Sequence, residues 1–358
     1  MELHTPSYVS KFHCLAGECP HTCCAWWQVP VDEATCRRLE TLPGPLGERA
    51  RRALTVDGEG EPCLALTGGY CPLLTEEGLC ALQLQEGEGA LPAICRQHPR
   101  FSYDYGPVRE EGLCASCPEA NRLILAEDFS LSVTQFPGET GAEGADELLF
   151  PMLKARQVAL DLLRGEEPLF RRLQALLLFG NEVQNALDEG DMGALEGVFD
   201  LYSEGLPLLE GVKLPPRGAV LAQMLETLAA LEPLQPQWGA LLAAGRARLA
   251  AGETLPAPGG RENSQTDGGE QARRAAEYFL YRHWLRCLND GDVLTWCQLA
   301  VAATAVCAGL ADVDGLGFAE VLRRFCLEVE HSQPNLDALQ DALWHRFTLA
   351  ELLALAGE

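Results

Sequence analysis

The stretch FHCLAGECPHTCC, residues 12–24, sets the character of the first third of the chain, because four cysteines fall within it. Cysteine spacing stays dense downstream, with the pattern Cys14-x4-Cys19-x3-Cys23-Cys24 followed by Cys71-x8-Cys80, Cys95 and Cys114-x2-Cys117. Of the 15 cysteines in the chain, 11 lie between Cys14 and Cys117. This region also has few periodic apolar segments. We therefore expect a bound metal to supply folding energy that a small core cannot.

Three kinds of cysteine cluster are compatible with this density. A disulfide scaffold needs an oxidising compartment, but the chain starts without a recognisable signal peptide, its cysteine total is odd, and Cys23 and Cys24 are adjacent. Plain buried thiols are a second alternative. Clustered cysteines in a reducing compartment are more typical of metal ligands. Thiolates select zinc, Cu(I) or iron–sulfur centres, and the spacing alone does not choose between them.

From about residue 120 onward, the apolar residues recur at helical spacing. This pattern predicts helices at 191–203, 217–231, 236–251, 271–288, 292–310, 315–331 and 335–355. Strand signals are few, and residues 130–134 are the best of them. The sequence predicts a mainly α fold, in which an irregular Cys-rich metal-binding region, residues 1–125, packs on a helical domain, residues 126–358. A polar Pro- and Gly-containing stretch, about residues 253–270, predicts a mobile loop.

The net charge is −25, with 52 acidic and 27 basic residues. Nucleic acids and anionic membrane surfaces would be repelled by this balance. It fits either a basic partner or simple solubility. The run from Leu299 to Ala311 is shorter than the roughly 20 apolar residues that a membrane span needs. We expect a cytoplasmic protein. The spacing Gly138-x2-Gly141-x2-Gly144 lacks a βαβ context and is interpreted as a loop.

Three cysteine blocks together resemble the flagellin lysine N-methylase family. The first is YVSKFHCLAGECPHTCCAWWQVPVDEATC, the second is CPLLTEEGLCALQLQEGEGALPAICRQHPRF, and the third is GLCASCPEANRLIL. The stretch YFLYRHWLRCLNDGD is similar to a late aromatic helix of that family. The first two blocks also resemble the smaller zinc/iron-chelating cysteine-cluster proteins. The resemblance is good over the first third of the chain and weak beyond it.

This resemblance implies an iron–sulfur cluster, most simply 4Fe-4S with zinc as the alternative, and S-adenosylmethionine as methyl donor. Flagellin, or another lysine-bearing protein, is the implied acceptor. The residues carried over as metal ligands are Cys14, Cys19, Cys23, Cys24, Cys71, Cys80, Cys95 and Cys117. Cys36, Cys63 and Cys114 fit the pattern less closely. No separate S-adenosylmethionine motif and no catalytic base can be identified.

Three side chains near the cysteines are candidates for binding the methyl donor. Arg96 and Arg100 flank His98, and paired guanidinium groups can hold a carboxylate such as the methionine end of the donor. Trp27 follows the Cys23-Cys24 pair, where its ring can stack on adenine or shield a cluster. The alternatives are ordinary salt bridges for the arginines and a core position for the tryptophan.

The leading functional hypothesis is therefore a protein-lysine N-methyltransferase. A non-catalytic zinc- or iron-thiolate protein, whose acidic helical part docks a basic partner, is the alternative. A redox or metal-handling protein is a third interpretation. Metal content and S-adenosylmethionine binding distinguish the three.

Overall fold

The computed structural model describes residues 1–357, except for 28, 59, 136–146, 208–211 and 260–267. The Gly138–Gly144 spacing and the centre of the expected 253–270 loop lie outside the described residues. Two hydrophobic cores form. The larger one joins the helices to the residues around Tyr8, Leu113 and Ile124, and the smaller one lies around Leu39, Leu64 and Leu82. The 125/126 domain boundary stays a prediction.

Short strands give the N-terminal region more order than the sequence predicted. They are β1 (Glu2–Pro6), β2 (Val29–Pro30), β3 (Leu54–Val56), β4 (Pro62–Leu64), β5 (Arg100–Asp104), β6 (Val108–Leu113) and β7 (Leu131–Gln135). One sheet has the order β5-β6-β1-β7 and another has β2-β4-β3. Only the region of β7 carried a recognisable strand pattern. The other strands are two to six residues long and are stabilised by pairing with distant segments rather than by local propensity.

The four-stranded sheet is fastened to the helices by buried polar contacts. Glu110 on β6 accepts a hydrogen bond of 2.8 Å from Arg156, and both side chains are buried. The Tyr281 hydroxyl donates to the backbone carbonyls of His4 (3.0 Å) and Glu111 (2.9 Å). The sheet therefore belongs structurally with the helical core.

Helices make up most of the described chain, which confirms the mainly α prediction; whether the N-terminal region binds metal stays a prediction. The helices are α1 (Glu33–Thr41), α2 (Gly44–Ala53), α3 (Ala81–Glu86), α4 (Ala93–Gln97), α5 (Pro118–Ala126), α6 (Leu149–Leu163), α7 (Leu169–Glu189), α8 (Met192–Glu204), α9 (Arg217–Ala229), α10 (Pro236–Ala250), α11 (Gly268–His283), α12 (Cys287–Asp290), α13 (Val293–Leu310), α14 (Phe318–Val329), α15 (Gln333–Arg346) and α16 (Leu349–Ala356).

The single helix predicted over 335–355 is two helices in the structure. Phe347 adopts an extended backbone, and Thr348 and Glu351 form a capping box that starts α16. In such a box, each side chain satisfies a backbone N–H that the new helix leaves unpaired. The periodicity continued across the break, so only the cap marks it.

The central element of the helical part is α13, which packs between α7 and α11. Its apolar composition and length would allow it to cross a bilayer, and within the described ranges no other helix meets both criteria. In the folded chain, 94% of that stretch is buried by protein. A helix that is apolar on all sides is typical of a buried core position. We therefore describe α13 as the core helix.

The close approach of α7 to α13 gives a testable prediction. A Cβ added at Gly180 would lie 2.5 Å from the Cys297 Sγ, whereas one added at Gly197 on α8 meets nothing within 4 Å. We expect Gly180→Ala to lower the free energy of unfolding by about 1–3 kcal/mol through overpacking. Gly197→Ala should raise it by roughly 0.5–1 kcal/mol, because alanine favours a helix interior. Denaturant titration measures both, and equal effects would contradict this packing.

Candidate functional site

Backbone hydrogen bonds and short helices connect the cysteine blocks to one another. Cys24 and Cys71 are joined by a backbone hydrogen bond of 2.7 Å, and Cys80 closes a bridge with Leu74. Cys95 lies on α4, and Cys117 is the N-cap residue immediately before α5. Asp32 connects the starts of α1 and α4, since its carboxylate accepts hydrogen bonds from the backbone amides of Thr35 and Ala93.

The eight predicted ligands fall into two neighbouring groups. We call Cys14, Cys19 and Cys117 the first thiol set, because the charges of Cys14 and Cys19 both act on Cys117. We call Cys24, Cys71, Cys80 and Cys95 the second thiol set, because the charges of Cys71 and Cys80 raise the pKa of both Cys24 and Cys95, and that of Cys80 raises the pKa of Cys71. Cys23 acts on members of both sets. The positions carried over from the family resemblance therefore lie near enough for their charges to interact, and their role as metal ligands stays a prediction.

The electrostatics of these thiols depend on burial. Burial raises the pKa of Cys95 to about 12 and that of Cys117 to about 11. A hydrogen bond with Cys24 lowers the pKa of Cys23 to about 7 and raises that of Cys24. Most of the thiols are therefore protonated at neutral pH. A metal cation reverses this, because coordination deprotonates a thiol.

The donor set fits a thiophilic metal centre in composition. Two sets of three and four thiols with one shared neighbour match the four cysteines that zinc or an iron–sulfur cluster commonly takes. In the part of the chain that the structure describes, no three His, Cys, Asp or Glu side chains already stand at metal-binding spacing. The division of the eight cysteines among metal sites therefore stays a prediction.

The less secure cysteines have other surroundings. The Cys36 thiol donates to the backbone carbonyl of Val31, and Cys63 is buried beside it. Cys114 accepts a hydrogen bond from the guanidinium of Arg282. Cys287, Cys297, Cys307 and Cys326 are all buried, as expected for small apolar side chains.

The three candidates for binding the methyl donor occupy different surroundings. Arg96 donates to the backbone carbonyl of Leu91 at 2.8 Å. Arg100 stacks on the ring of Phe12, with 5.0 Å between the guanidinium carbon and the ring centroid. Trp27 is half-buried, and its indole N–H donates to the carbonyl of Cys23 at 2.7 Å. Their proposed contacts with a methyl donor stay predictions.

A buried polar network joins the third cysteine block to the helical domain. Glu330, at the end of α14, accepts from Tyr278 (2.7 Å), pairs with His283 (2.6 Å) and forms an ion pair with Arg282 (2.8 Å). Tyr278 also accepts from the amide of Ala115 at 3.1 Å. The loop that carries Cys117 is therefore held from the helical side.

Neighbouring contacts complete this attachment. Asn121 donates to the carbonyl of Ala115 at 3.1 Å, and Ser116 is hydrogen-bonded to the ring of His331. Burial raises the pKa of Cys114, and the charge of Arg282 opposes that rise. The helical domain thus fixes the position of the loop between Cys114 and Cys117.

Sequence reasoning recognised Tyr278 and Arg282 as a helix feature but missed Glu330 and His331. The signal was present in CLEVEHS, where two acidic residues and a histidine alternate with or follow the apolar residues at the end of α14. Buried charges are rarely found without a partner. An acidic residue in such a segment therefore pointed to a cationic partner elsewhere, without identifying it.

One buried histidine, His283, and two half-buried ones, His98 and His331, make the fold sensitive to acid. Burial lowers the pKa of His283 to about 4, that of His98 to about 4 and that of His331 to about 3. An unfolded histidine titrates near 6.5, so between about pH 6.5 and 4 the unfolded chain binds more protons than the folded one. The free energy of unfolding should therefore fall as the pH is lowered through this window.

Two other groups modify this expectation. Contacts with Glu110 and Glu2 outweigh the effect of burial and raise the pKa of His4. Protonation of His4 therefore partly offsets the loss of stability at low pH. Despite its burial, Glu330 has a pKa lowered to about 2, mainly by Arg282, so further stability is lost below about pH 4.5. Denaturant titrations at several pH values measure how the free energy of unfolding changes with pH. A free energy of unfolding that is constant from neutral pH to pH 4 would contradict the neutral state of these imidazoles in the folded chain.

Comparison with known proteins gives distant matches. The chain is 25% identical over 215 residues to the lysine-N-methylase of Salmonella typhimurium, which is 56% of this chain and 53% of that protein. The lysine-N-methylase of Salmonella choleraesuis matches equally well. The flagellar biosynthetic protein FliU of Salmonella muenchen is 27% identical over 134 residues, covering 36% of this chain and 79% of that protein.

The alignment spans about half the length of the lysine-N-methylases that it matches. No family model matches the chain, and no solved structure matches it. Two curated lysine-N-methylases and a flagellar protein nevertheless agree with the family that the three cysteine blocks resemble. The chain is a distant relative of the lysine-N-methylases.

Proposed function

We propose that this chain is a protein-lysine N-methyltransferase that uses S-adenosylmethionine and a cysteine-ligated iron–sulfur cluster. The observation that carries the proposal is the similarity to two lysine-N-methylases. The convergence of the eight cysteines of the three blocks supports the cluster. We place this chemistry in the cytoplasm, where thiols are kept reduced.

The reaction transfers a methyl group between two named atoms. The bond from the donor sulfur to its methyl carbon breaks, a bond from the lysine nitrogen to that carbon forms, and the sulfur keeps the electron pair. The lysine ammonium loses a proton to solvent before the attack, because only a free amine is nucleophilic. A bound cluster would supply an iron centre able to take a ligand or an electron.

The residues of this chain contribute the setting for that transfer. The first and second thiol sets would hold the cluster, and the network of Arg282 and Glu330 would keep the loop carrying Cys117 in position. The net charge of −25 favours a basic acceptor protein. We propose flagellin as that acceptor, since FliU, a matched protein, is named as flagellar.

The test starts with metal and acid-labile sulfide analysis of anaerobically purified protein. Iron and sulfide together, followed by transfer of labelled methyl groups to flagellin and recovery of Nε-methyllysine after hydrolysis, would support the proposal. Zinc without sulfide, and no binding of S-adenosylmethionine, would instead favour the non-catalytic metal-thiolate protein. Lysozyme, a basic protein unrelated to flagella, serves as the control acceptor.

A further inference from the structure

Three rings from distant parts of the chain meet beside the thiol sets. The centroid of Trp27 lies 6.3 Å from that of His98 and 5.9 Å from that of His331, and the two histidine centroids are 5.7 Å apart. We call these residues the ring triad. Each comes from a different segment, namely the loop before β2, the end of α4 and the residue pair after α14. The fold therefore assembles the triad, and no local pattern does so.

The triad is more exposed than the rings of the helical core. All three of its side chains are only half-buried, whereas Tyr278, Trp284 and Trp296 of the helical core are almost completely buried. Hydrogen bonds hold two of the rings in place: the indole N–H of Trp27 donates to the carbonyl of Cys23, and the imidazole of His331 is hydrogen-bonded to Ser116. Each of the three residues thus keeps part of its surface accessible to solvent.

The ring triad is uncharged at physiological pH and so does not repel a bound cation. Burial and the charge of Arg282 keep the imidazoles of His98 and His331 neutral at physiological pH. Arg282 itself is paired with Glu330, so its charge is compensated. Because the three centroids are about 6 Å apart, one cation can lie within about 6 Å of all of them. At this range the indole of Trp27 is the cation–π partner, and the two neutral imidazoles add no positive charge.

We propose that Trp27, His98 and His331 form a binding site for a methyl-bearing onium group. Two sources have this chemistry under the proposed function, on which the inference rests for the identity of its ligand. They are the sulfonium of the methyl donor and the methylated ammonium of the acceptor lysine. The position of the triad between the thiol sets and the helical domain places it beside the proposed metal centre.

The first experiment measures the site without using methyl transfer. Equilibrium dialysis of the metal-loaded protein compares labelled choline with its uncharged isostere 3,3-dimethylbutan-1-ol. We expect choline to bind more tightly, and Trp27→Ala to weaken choline binding about tenfold. Trp27→Phe, which keeps a ring, should give an intermediate loss and serves if Trp27→Ala does not fold. Trp344→Ala and His345→Ala, both at exposed positions on α15, are the matched controls.

The second experiment identifies the source of the onium group. If the donor occupies the site, Trp27→Ala and His331→Ala lose the preference for S-adenosylmethionine over the uncharged S-adenosylhomocysteine while keeping their metal content. If the acceptor occupies it, they raise KM for methylated lysine peptides and leave donor affinity unchanged. Either result supports the site.

The outcomes also separate this inference from the proposed function. Methyl transfer by a wild-type protein that binds choline no better than its isostere would overturn the onium site and leave the function standing. A choline preference that depends on Trp27, in a protein that transfers no methyl group, would keep the site and remove the function. Retention of the full preference in both ring variants would also overturn the site.

Discussion

Glu330→Ala is expected to lower the free energy of unfolding by about 3–5 kcal/mol, because it removes one partner of a buried ion pair. The carboxylate is almost completely buried and contacts Arg282, His283 and Tyr278. Without it, the guanidinium of Arg282 stays buried with its charge uncompensated. Natural domains are stable by only about 5–15 kcal/mol, so this loss is a large share of the total.

A matched control separates this effect from the general effect of losing a glutamate. Glu226 lies exposed on α9, and Glu226→Ala should change the free energy of unfolding by no more than about 0.5 kcal/mol. Urea titrations followed by circular dichroism measure both variants. A Glu330→Ala variant as stable as Glu226→Ala would contradict the buried network.

Cys95→Ser is expected to reduce the metal bound per chain severely, because Cys95 belongs to the second thiol set with Cys24, Cys71 and Cys80. A serine hydroxyl stays protonated and is a poor ligand for a thiophilic metal. Since metal binding adds directly to folding stability, the variant should also unfold at lower denaturant concentration. Metal analysis after gel filtration measures the first effect.

Cys36→Ser provides the control from the same small core. The Cys36 thiol donates to the carbonyl of Val31, and a serine hydroxyl can make the same bond. We expect this variant to keep the full metal content and nearly full stability. Equal metal content in Cys95→Ser and Cys36→Ser would show that the second thiol set is not a metal site.

Local signals in the sequence were sufficient for several elements. The residues from Asp32 to Leu42 predict a short helix with Asp32 as its N-cap and with Thr35 and Leu39 on one side; α1 has this cap and buries both residues. Apolar spacing predicted α8, α9, α10 and α13 within a few residues of their observed ends. These elements depend on caps and periodicity, which are properties of adjacent residues.

Other elements depend on pairing between distant segments. β1 pairs in parallel with β6, about a hundred residues away, and no turn signal links them. The break at Phe347 could not be predicted from the apolar periodicity, because that periodicity continues through it. The hydrogen bond between Arg282 and Cys114 is not predicted by any local pattern, since 168 positions separate the two residues.

The sequence by itself determined which cysteines were candidates, because thiol spacing and block order are written along the chain. It also determined the helical character of the remainder through the apolar periodicity. Only the tertiary structure decided which candidate thiols interact through their charges, that Cys114 is hydrogen-bonded to Arg282, and that Trp27 contacts His98 and His331. The physical reason is that thiol proximity, buried charge pairs and ring contacts are relations between remote residues, and they exist only after the backbone has brought those residues together.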